Sequence, residues 1–312
     1  MNPPLQFAGL EQADLPARPL HLAIGMFDGV HLGHQAVIAA ATAAARQDGG
    51  LAAVLTFWPH PSIFFRAGRP VRLLMTPEAK ARILGGLGIA AIITQTFTPE
   101  FAGIAAEDFL PLLRRHLPKL AGVYVGDNWR FGRGRTGDAA LLRRQGAELG
   151  LKVLALPRLE QAGAPISSTR IRELVSCGDM KAARQLLGRP YFAEGTVAPG
   201  RQLGRQLGFP TLNIAWAPDL QPRYGVYVVE VGREKSSQPR RGVANYGLRP
   251  TVEETKEPRL EVHVLGECPF GPGDTLRVDW MSFVRPEQKF PDLPALRVQI
   301  ERDLAVAAAY AT

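Results

Sequence analysis

Between Leu20 and Leu187 the chain alternates unbroken apolar runs with longer stretches of helical period, and this alternation restricts its possible folds more than any other feature. The runs "HLAIGMF", "LAAVLTFW", "IAAIITQTF", "LAGVYVG" and "LKVLALP" are short and continuous. Between them stand "HQAVIAAATAAARQ", which stops at Gly49-Gly50, then "PEAKARILGGLG", "AEDFLPLLRRHL" with Pro111 near its first turn, and "AALLRRQGAELG". Strands that are apolar on both faces belong in a parallel sheet with helices on either side. A doubly wound α/β unit is therefore predicted. In such a unit ligands bind beyond the carboxyl ends of the strands.

After "LLGRPY" the pattern changes. Six short pieces follow, "FAEGTVA", "FPTLNIAW", "YGVYVVEV", "RRGVANYG", "RLEVHVL" and "TLRVDWMSFV", separated by Gly, Pro and charged turns. Such spacing predicts an antiparallel β-barrel. One helix, "LPALRVQIERDLAVAAA", closes the chain. The change sets a boundary near Leu187 to Pro190, with units at 1–187 and 188–312. A length of 312 residues, 46% hydrophobic, is enough for two cores.

Lys and Arg exceed Asp and Glu by 37 to 29, a net charge of +8. That excess suits anionic partners, or is arginine on solvated faces. Cys177 and Cys268 are far apart, which fits a reducing compartment and argues against a disulfide scaffold or a zinc site. The N-terminus lacks a charged start followed by an apolar block, and no run approaches the ~20 apolar residues of a membrane span. The expectation is a soluble, cytoplasmic protein with no membrane partner. Oligomeric state is not legible.

The chemistry concentrates in "IGMFDGVHLGHQAVI". Phe27, Asp28 and Gly29 end the first predicted strand, and His34 opens the helix. The first amides of a helix lack internal acceptors and carry partial positive charge, so such a turn binds anions. His31 and His34 add donors, and Gly33 puts no Cβ in a phosphate's way. Attack on the α-phosphate of a nucleoside triphosphate needs such positioning and such donors. The alternative is that both histidines merely cap the helix.

Two further stretches fit the same site. "VGDNWRFGRGRTGD" presents Asn128, Arg130, Arg133 and Arg135 among glycines, with Phe131 able to meet a flavin-like ring. It also reads as a solvated basic loop. "ISSTRIRELV" sets Ser167, Ser168 and Thr169 where a helix begins, with Arg172 one turn in. Those hydroxyls and that guanidinium suit the far end of a triphosphate, or simply cap a helix.

With "GMFDGVHLGHQ", "TFWPHP", "VGDNWRFGRGRTGD" and "ISSTRIR" on one chain, the sequence from about His21 to Ala309 closely resembles the bacterial bifunctional riboflavin kinase/FAD synthetase family. The first half resembles its FMN adenylyltransferase domain, of the nucleotidylyltransferase superfamily. The resemblance implies that His31, His34, Asn128, Ser168, Thr169 and Arg172 contact ATP or stabilise the transition state. It leaves His60 and Trp58 either lining the flavin or packing the end of the second strand.

The second half carries "GTVAPGRQLGRQLGFPTLNI", similar to the riboflavin kinase signature. Gly200, Gly204 and Gly208 would let a loop fold over phosphates. Thr211 and Asn213, two apart on a predicted strand, share a face and offer the oxygen ligands that Mg²⁺ prefers. In "LEVHVL" the resemblance makes Glu261 the general base toward the ribityl 5′-hydroxyl. It makes Arg285 of "VRPEQKF" a flavin contact. Where the family has an acidic Asp-Leu-Tyr-Gly loop, this chain has Phe270-Gly271-Pro272-Gly273.

The resemblance implies two ATP- and Mg²⁺-dependent steps, riboflavin to FMN and FMN to FAD. The altered loop motivates the other reading, an FAD synthetase whose barrel binds flavin with reduced kinase activity. Class I aminoacyl-tRNA synthetases share the His-x-Gly-His turn but pair it with a lysine-rich signature that "ISSTRIR" lacks. A nucleic-acid partner is not expected, because the arginines scatter along the chain and are not interleaved with aromatics on one face.

Overall fold

The computed structural model describes residues 3–65, 70–199, 208–234, 238–248 and 258–311. The chain divides into two compact units, Met1–Ser168 and Thr169–Thr312.

The first unit is a parallel sheet of six strands: β1 (Leu5–Phe7), β2 (Leu20–Ile24), β3 (Leu51–Trp58), β4 (Ala91–Thr96), β5 (Leu120–Gly126) and β6 (Lys152–Leu156). Its order is β1-β4-β3-β2-β5-β6, so the chain moves outward from β2 to one side and then returns to β2's other side. The gap between β2 and β5 is the topological switch point, where such sheets bind ligands. The sheet is covered on both faces, as its apolar strands require. Leu20, Leu22 and Ile24 of β2 pack in one core with α5 (Ala106–His116) and α6 (Ala139–Glu148). Ala23 packs in the other with α1 (Leu32–Gln47) and α3 (Pro77–Gly86). Two single turns, α2 (Ser62–Phe65) and α4 (Pro99–Ala102), lie between these elements.

Three details depart from the sequence-based expectation. β1 was not foreseen, being three residues long at the sheet edge. β2 ends at Ile24, before Phe27. α1 begins at Leu32 with His31 as its N-cap, so His34 lies inside the first turn. Pro111 sits in mid-helix in α5. A proline cannot bond the carbonyl four residues back. Here the carbonyl of Glu107 accepts instead from Gln145 Nε2 of α6, at 2.6 Å.

A short ribbon, β7 (Glu160–Gln161) and β8 (Ala164–Pro165), leads to α7 (Ser168–Cys177) and α8 (Met180–Leu187). From Thr169 onward these helices belong to the second unit.

That unit is a closed antiparallel barrel of β9 (Tyr191–Ala198), β10 (Leu212–Ala215), β11 (Gly225–Gly232), β12 (Arg240–Gly247), β13 (Arg259–Val264) and β14 (Thr275–Arg285), in the order β10-β13-β12-β11-β14-β9. Period-2 alternation fills it. Leu260, Val262 and Val264 of β13 point inward, while Glu261 and His263 are partly exposed. Tyr227 and Tyr246 meet the buried Trp280 edge-on, with centroids 4.7 and 5.8 Å away. The terminal helix, α9 (Leu293–Ala308), is clasped to the barrel by Arg285 and Asp303 and by Arg241, which donates to the Tyr310 carbonyl at 2.7 Å.

Candidate active sites

The first site is the turn between β2 and α1. Phe27, Gly29 and Val30 have φ of +51°, +82° and +39°. Glycine adopts that region freely; phenylalanine and a β-branched valine do not. Burial holds the strain, since Phe27 is 1% exposed and Val30 0%. Hydrogen bonds to the turn's carbonyls hold it too. Val30 N–H donates to Phe27 O (3.2 Å), Ser168 Oγ to Asp28 O (2.8 Å) and Gln35 Nε2 to Val30 O (2.9 Å). The buried Asp28 carboxylate accepts from the Leu74 N–H at 3.0 and 3.2 Å. Backbone held in sparsely populated regions clusters at functional sites.

On this turn stand the two imidazoles. His31 Nδ1 accepts from the His34 N–H at 3.3 Å, so the neutral ring carries its proton on Nε2. The rings stack, with centroids 3.6 Å apart and planes at 17°. Phe27 meets His34 edge-on at 5.2 Å. A Cβ on Gly33 would lie 3.2 Å from His31 Cε1 and Nδ1. Gly33 therefore makes room for an imidazole, a demand that its place in the motif did not reveal.

Beneath the turn is a group that sequence reasoning missed. Lys80, in the first turn of α3, donates to the Met26 carbonyl at 3.3 Å and to Thr56 Oγ1 at 3.1 Å. Thr56, 0% exposed, donates in turn a hydrogen bond to the same Met26 carbonyl at 3.2 Å. Burial lowers the Lys80 ammonium's pKa, and the charge on Asp28 offsets part of that effect. The available signal was a lysine inside an otherwise apolar helix face.

The loop after β5 is folded back on itself. Phe131 and Gly137 exchange backbone hydrogen bonds of 3.1 and 2.9 Å. Asp138 caps α6, and the Leu141 N–H it accepts holds its carboxyl below the usual carboxylate range. Asn128 is exposed beside Gly126, whose Cβ would lie 3.2 Å from the Asn128 side-chain oxygen. Phe131, expected at a flavin, is a core ring: it is 6% exposed, stacked on Trp129 at 4.6 Å and tilted against Phe109 at 5.3 Å. Trp129 is the partly exposed member of that stack. His60 stands just before α2, its Nδ1 accepting from Ser62 N–H at 3.1 Å. Ser167 precedes α7 and Ser168 starts it. Thr169 and Arg172 follow on the same helix.

The second site lies on the outer face of the barrel. Asn213 of β10 is opposite Glu261 of β13, and Glu261 is opposite Asn245 of β12. Residues in register on neighbouring strands share a face, so three polar side chains form one row. Asn245 Nδ2 donates to Glu287 Oε1 at 3.1 Å. Thr211 stands one residue before β10 and is exposed, continuing the alternation with buried Leu212. His263 Nδ1 is 2.8 Å from the Pro210 carbonyl, tying β13 to the stretch that carries Thr211. Gly208 has φ of +88° in the preceding turn. Gly200 and Gly204 lie outside the described residues.

Arg285 has a different partner from the one expected. Its Nε and Nη2 grip the Asp303 carboxylate at 3.0 and 2.7 Å, and Nη1 donates to the Pro286 carbonyl at 3.1 Å. With Asp303 only 3% exposed, this is a buried clamp on α9. The altered loop is ordered by Asp274, which accepts from Gly271 N–H at 2.9 Å and from Arg233 Nη2 at 2.8 Å. Both contacts lower its pKa, the Gly271 amide more.

A strained, amide-rich helix start at a switch point and a carboxylate-amide row on a closed barrel together define a two-unit transferase acting on phosphates. Comparison with known families agrees. A model described as FAD synthetase matches residues 15–170, and one described as riboflavin kinase matches residues 187–311. The chain belongs to the family of bifunctional riboflavin kinase/FMN adenylyltransferases. Its similarity to the member from Escherichia coli (strain K12) is 37% identity over 284 residues, 90% of each chain. The member from Bacillus subtilis (strain 168) is 32% identical over 297 residues, 93% of this chain and 92% of its own. A solved structure from Streptococcus pneumoniae, titled as a macrolide-efflux protein, superposes with a TM-score of 0.87 at 28% identity, covering 99% of this chain and all of its own. Among the described residues no helix here is long and apolar enough to cross a membrane.

Proposed function

We propose that the barrel moves the γ-phosphate of ATP to riboflavin, and that the first unit then joins AMP from a second ATP to the resulting FMN. The observation that carries this reading is the presence of two chemically unlike sites, one in each unit. The first breaks an α–β anhydride and the second a terminal one. The functional boundary is assigned at 187/188, in keeping with the two matched family segments.

In the first unit an FMN phosphate oxygen attacks the α-phosphorus and pyrophosphate leaves. Charge gathers on the non-bridging α-oxygens. The amides of Leu32 and Gly33 at the start of α1 and the Nε2 proton of His31 are its donors. His34 stacks on His31 and fixes its ring. Asn128 and Ser168 hold the remainder of the nucleotide. Asp28 acts by shaping the turn.

In the barrel Glu261 takes the proton of the ribityl 5′-hydroxyl as that oxygen attacks the γ-phosphorus and ADP leaves. Thr211 and Asn213 would hold Mg²⁺, which when bound would neutralise phosphate charge. A hydroxyl and an amide oxygen are hard neutral donors, and they fit a cation whose other ligands are phosphate and water. Two exposed free thiols, Cys177 and Cys268, support a reducing cytoplasmic setting.

The test is a time course of pure protein with riboflavin, ATP and Mg²⁺, the flavins being separated by chromatography. FMN should rise first and FAD should follow. Conversion of supplied FMN to FAD with riboflavin left untouched would replace this reading with that of an FAD synthetase carrying a silent barrel.

A further inference from the structure

We propose that Lys80 is a positioning residue for adenylyl transfer, its ammonium locking the left-handed turn that presents His31 and His34. This rests on the reading of that turn as the adenylyl-transfer site.

The argument starts from the turn's backbone. With φ positive at Phe27, Gly29 and Val30, the segment is not a conformation its sequence would keep alone. Something must hold each peptide. Phe27 O, Asp28 O and Val30 O are held by the Val30 amide, the Ser168 hydroxyl and the Gln35 amide. All three are neutral donors. Met26 O, the carbonyl that enters the turn, is held by the closed triangle of Lys80 Nζ, Thr56 Oγ1 and Met26 O, with sides of 3.1, 3.2 and 3.3 Å. Among these contacts Lys80 is the one charged donor, and hydrogen bonds with an ionised donor are about twice as strong as neutral ones. The triangle joins the start of α3 to the carboxyl ends of β2 and β3, so it fixes the turn against the sheet.

Position supports a role in the site over one in the core. Lys80 belongs to a helix whose neighbouring side chains, Ala79, Ala81 and Leu84, are buried and apolar. Any apolar side chain would fill that space. Burial disfavours the ammonium, and Asp28 recovers only part of the loss. A group that is unfavourable for folding and sits under a strained turn has the signature of function retained against stability.

The experiment compares wild type with Lys80→Met, Lys80→Arg and Thr56→Val, measuring riboflavin phosphorylation and FMN adenylylation on each full-length protein, together with Tm. Lys80→Met keeps the volume and removes the charge. A misplaced turn should lower kcat for adenylylation at least about tenfold, with KM for ATP changed less than about twofold. Phosphorylation should be unchanged, and Tm should be equal or higher. Thr56→Val should give a smaller loss of the same kind, and Lys80→Arg should recover most of the rate.

Three results would overturn the proposal. One is adenylylation by Lys80→Met within about twofold of wild type. Another is parallel loss of both activities with a lowered Tm, which marks a merely structural lysine. The third is a Lys80→Arg enzyme as slow as Lys80→Met. Normal FAD synthesis by a His31→Ala protein would instead remove the site reading itself, so the two failures are separable.

Discussion

The two candidate sites are built on opposite principles. At the β2–α1 turn the functional groups are part of the core. Asp28 and His31 are 5% and 6% exposed, and the backbone is strained and held from several sides. On the barrel Asn213, Glu261 and Asn245 stand on the outer pleat, displayed by strand alternation with no unusual backbone at any of the three. The first is held by its own hydrogen bonds and burial, an arrangement that suits electrostatic donors needing no reorganisation. The second displays a carboxylate and two amide side chains in register on ordinary strands. On the proposed roles, strain accompanies the fixed donors and ordinary strands carry the base.

The sharpest way to break this comparison is Glu261→Gln. It should lower riboflavin phosphorylation by about a hundredfold to ten-thousandfold, the range for a general base, while supplied FMN is still adenylylated. Phosphorylation at the wild-type rate would remove Glu261 as the base. Next comes His31→Ala, expected to cut FAD formation by about a hundred- to thousandfold, with FMN accumulating from riboflavin. Equal loss of both products in a folded protein would mean that the sites are not separate.

Gly33→Ala sharpens the claim that the first site is rigid. Its Cβ would press the His31 ring at 3.2 Å, so a modest fall in adenylylation, about tenfold, is expected without unfolding. A fully active variant would show that the rings have slack. The smallest effect is on stability against pH. Burial lowers the Lys80 pKa, so the unfolded chain binds that proton more tightly than the folded one. The ammonium is therefore a burden below its folded pKa, and stability should rise with pH through the alkaline range up to the usual lysine value. Denaturant titrations of wild type and Lys80→Met across that range should differ by this rising contribution, present in wild type and lost in the variant.

The architecture was legible because both units obey simple periods. Apolar runs gave five of the sheet strands, and alternation gave all six pieces of the barrel, with Glu261 and Asn213 on its outer face. β1 was missed because three residues behind Pro3 and Pro4 carry no period. The histidines were legible as a motif, yet their geometry was not. The N-cap at His31, the Gly33 contact and the Lys80 triangle depend on residues up to 54 positions apart. Phe131 and Arg285 show the same limit from the other side. An aromatic in a basic loop and an arginine near a flavin motif have tertiary partners, Trp129 and Asp303, that neither motif announces.

The closure of the barrel has a consequence for how the chain keeps to itself. Because β9 bonds to both β10 and β14, the barrel's described strands leave no rim on which a second molecule could build. The parallel sheet keeps two rims, β1 of three residues and β6 of five opening on Lys152. Both are short, and one carries the kind of charge that deters edge-to-edge growth. Among the described residues, then, the rims open to added strands lie in the adenylyl-transfer half, on the parallel sheet and on the short β7–β8 ribbon.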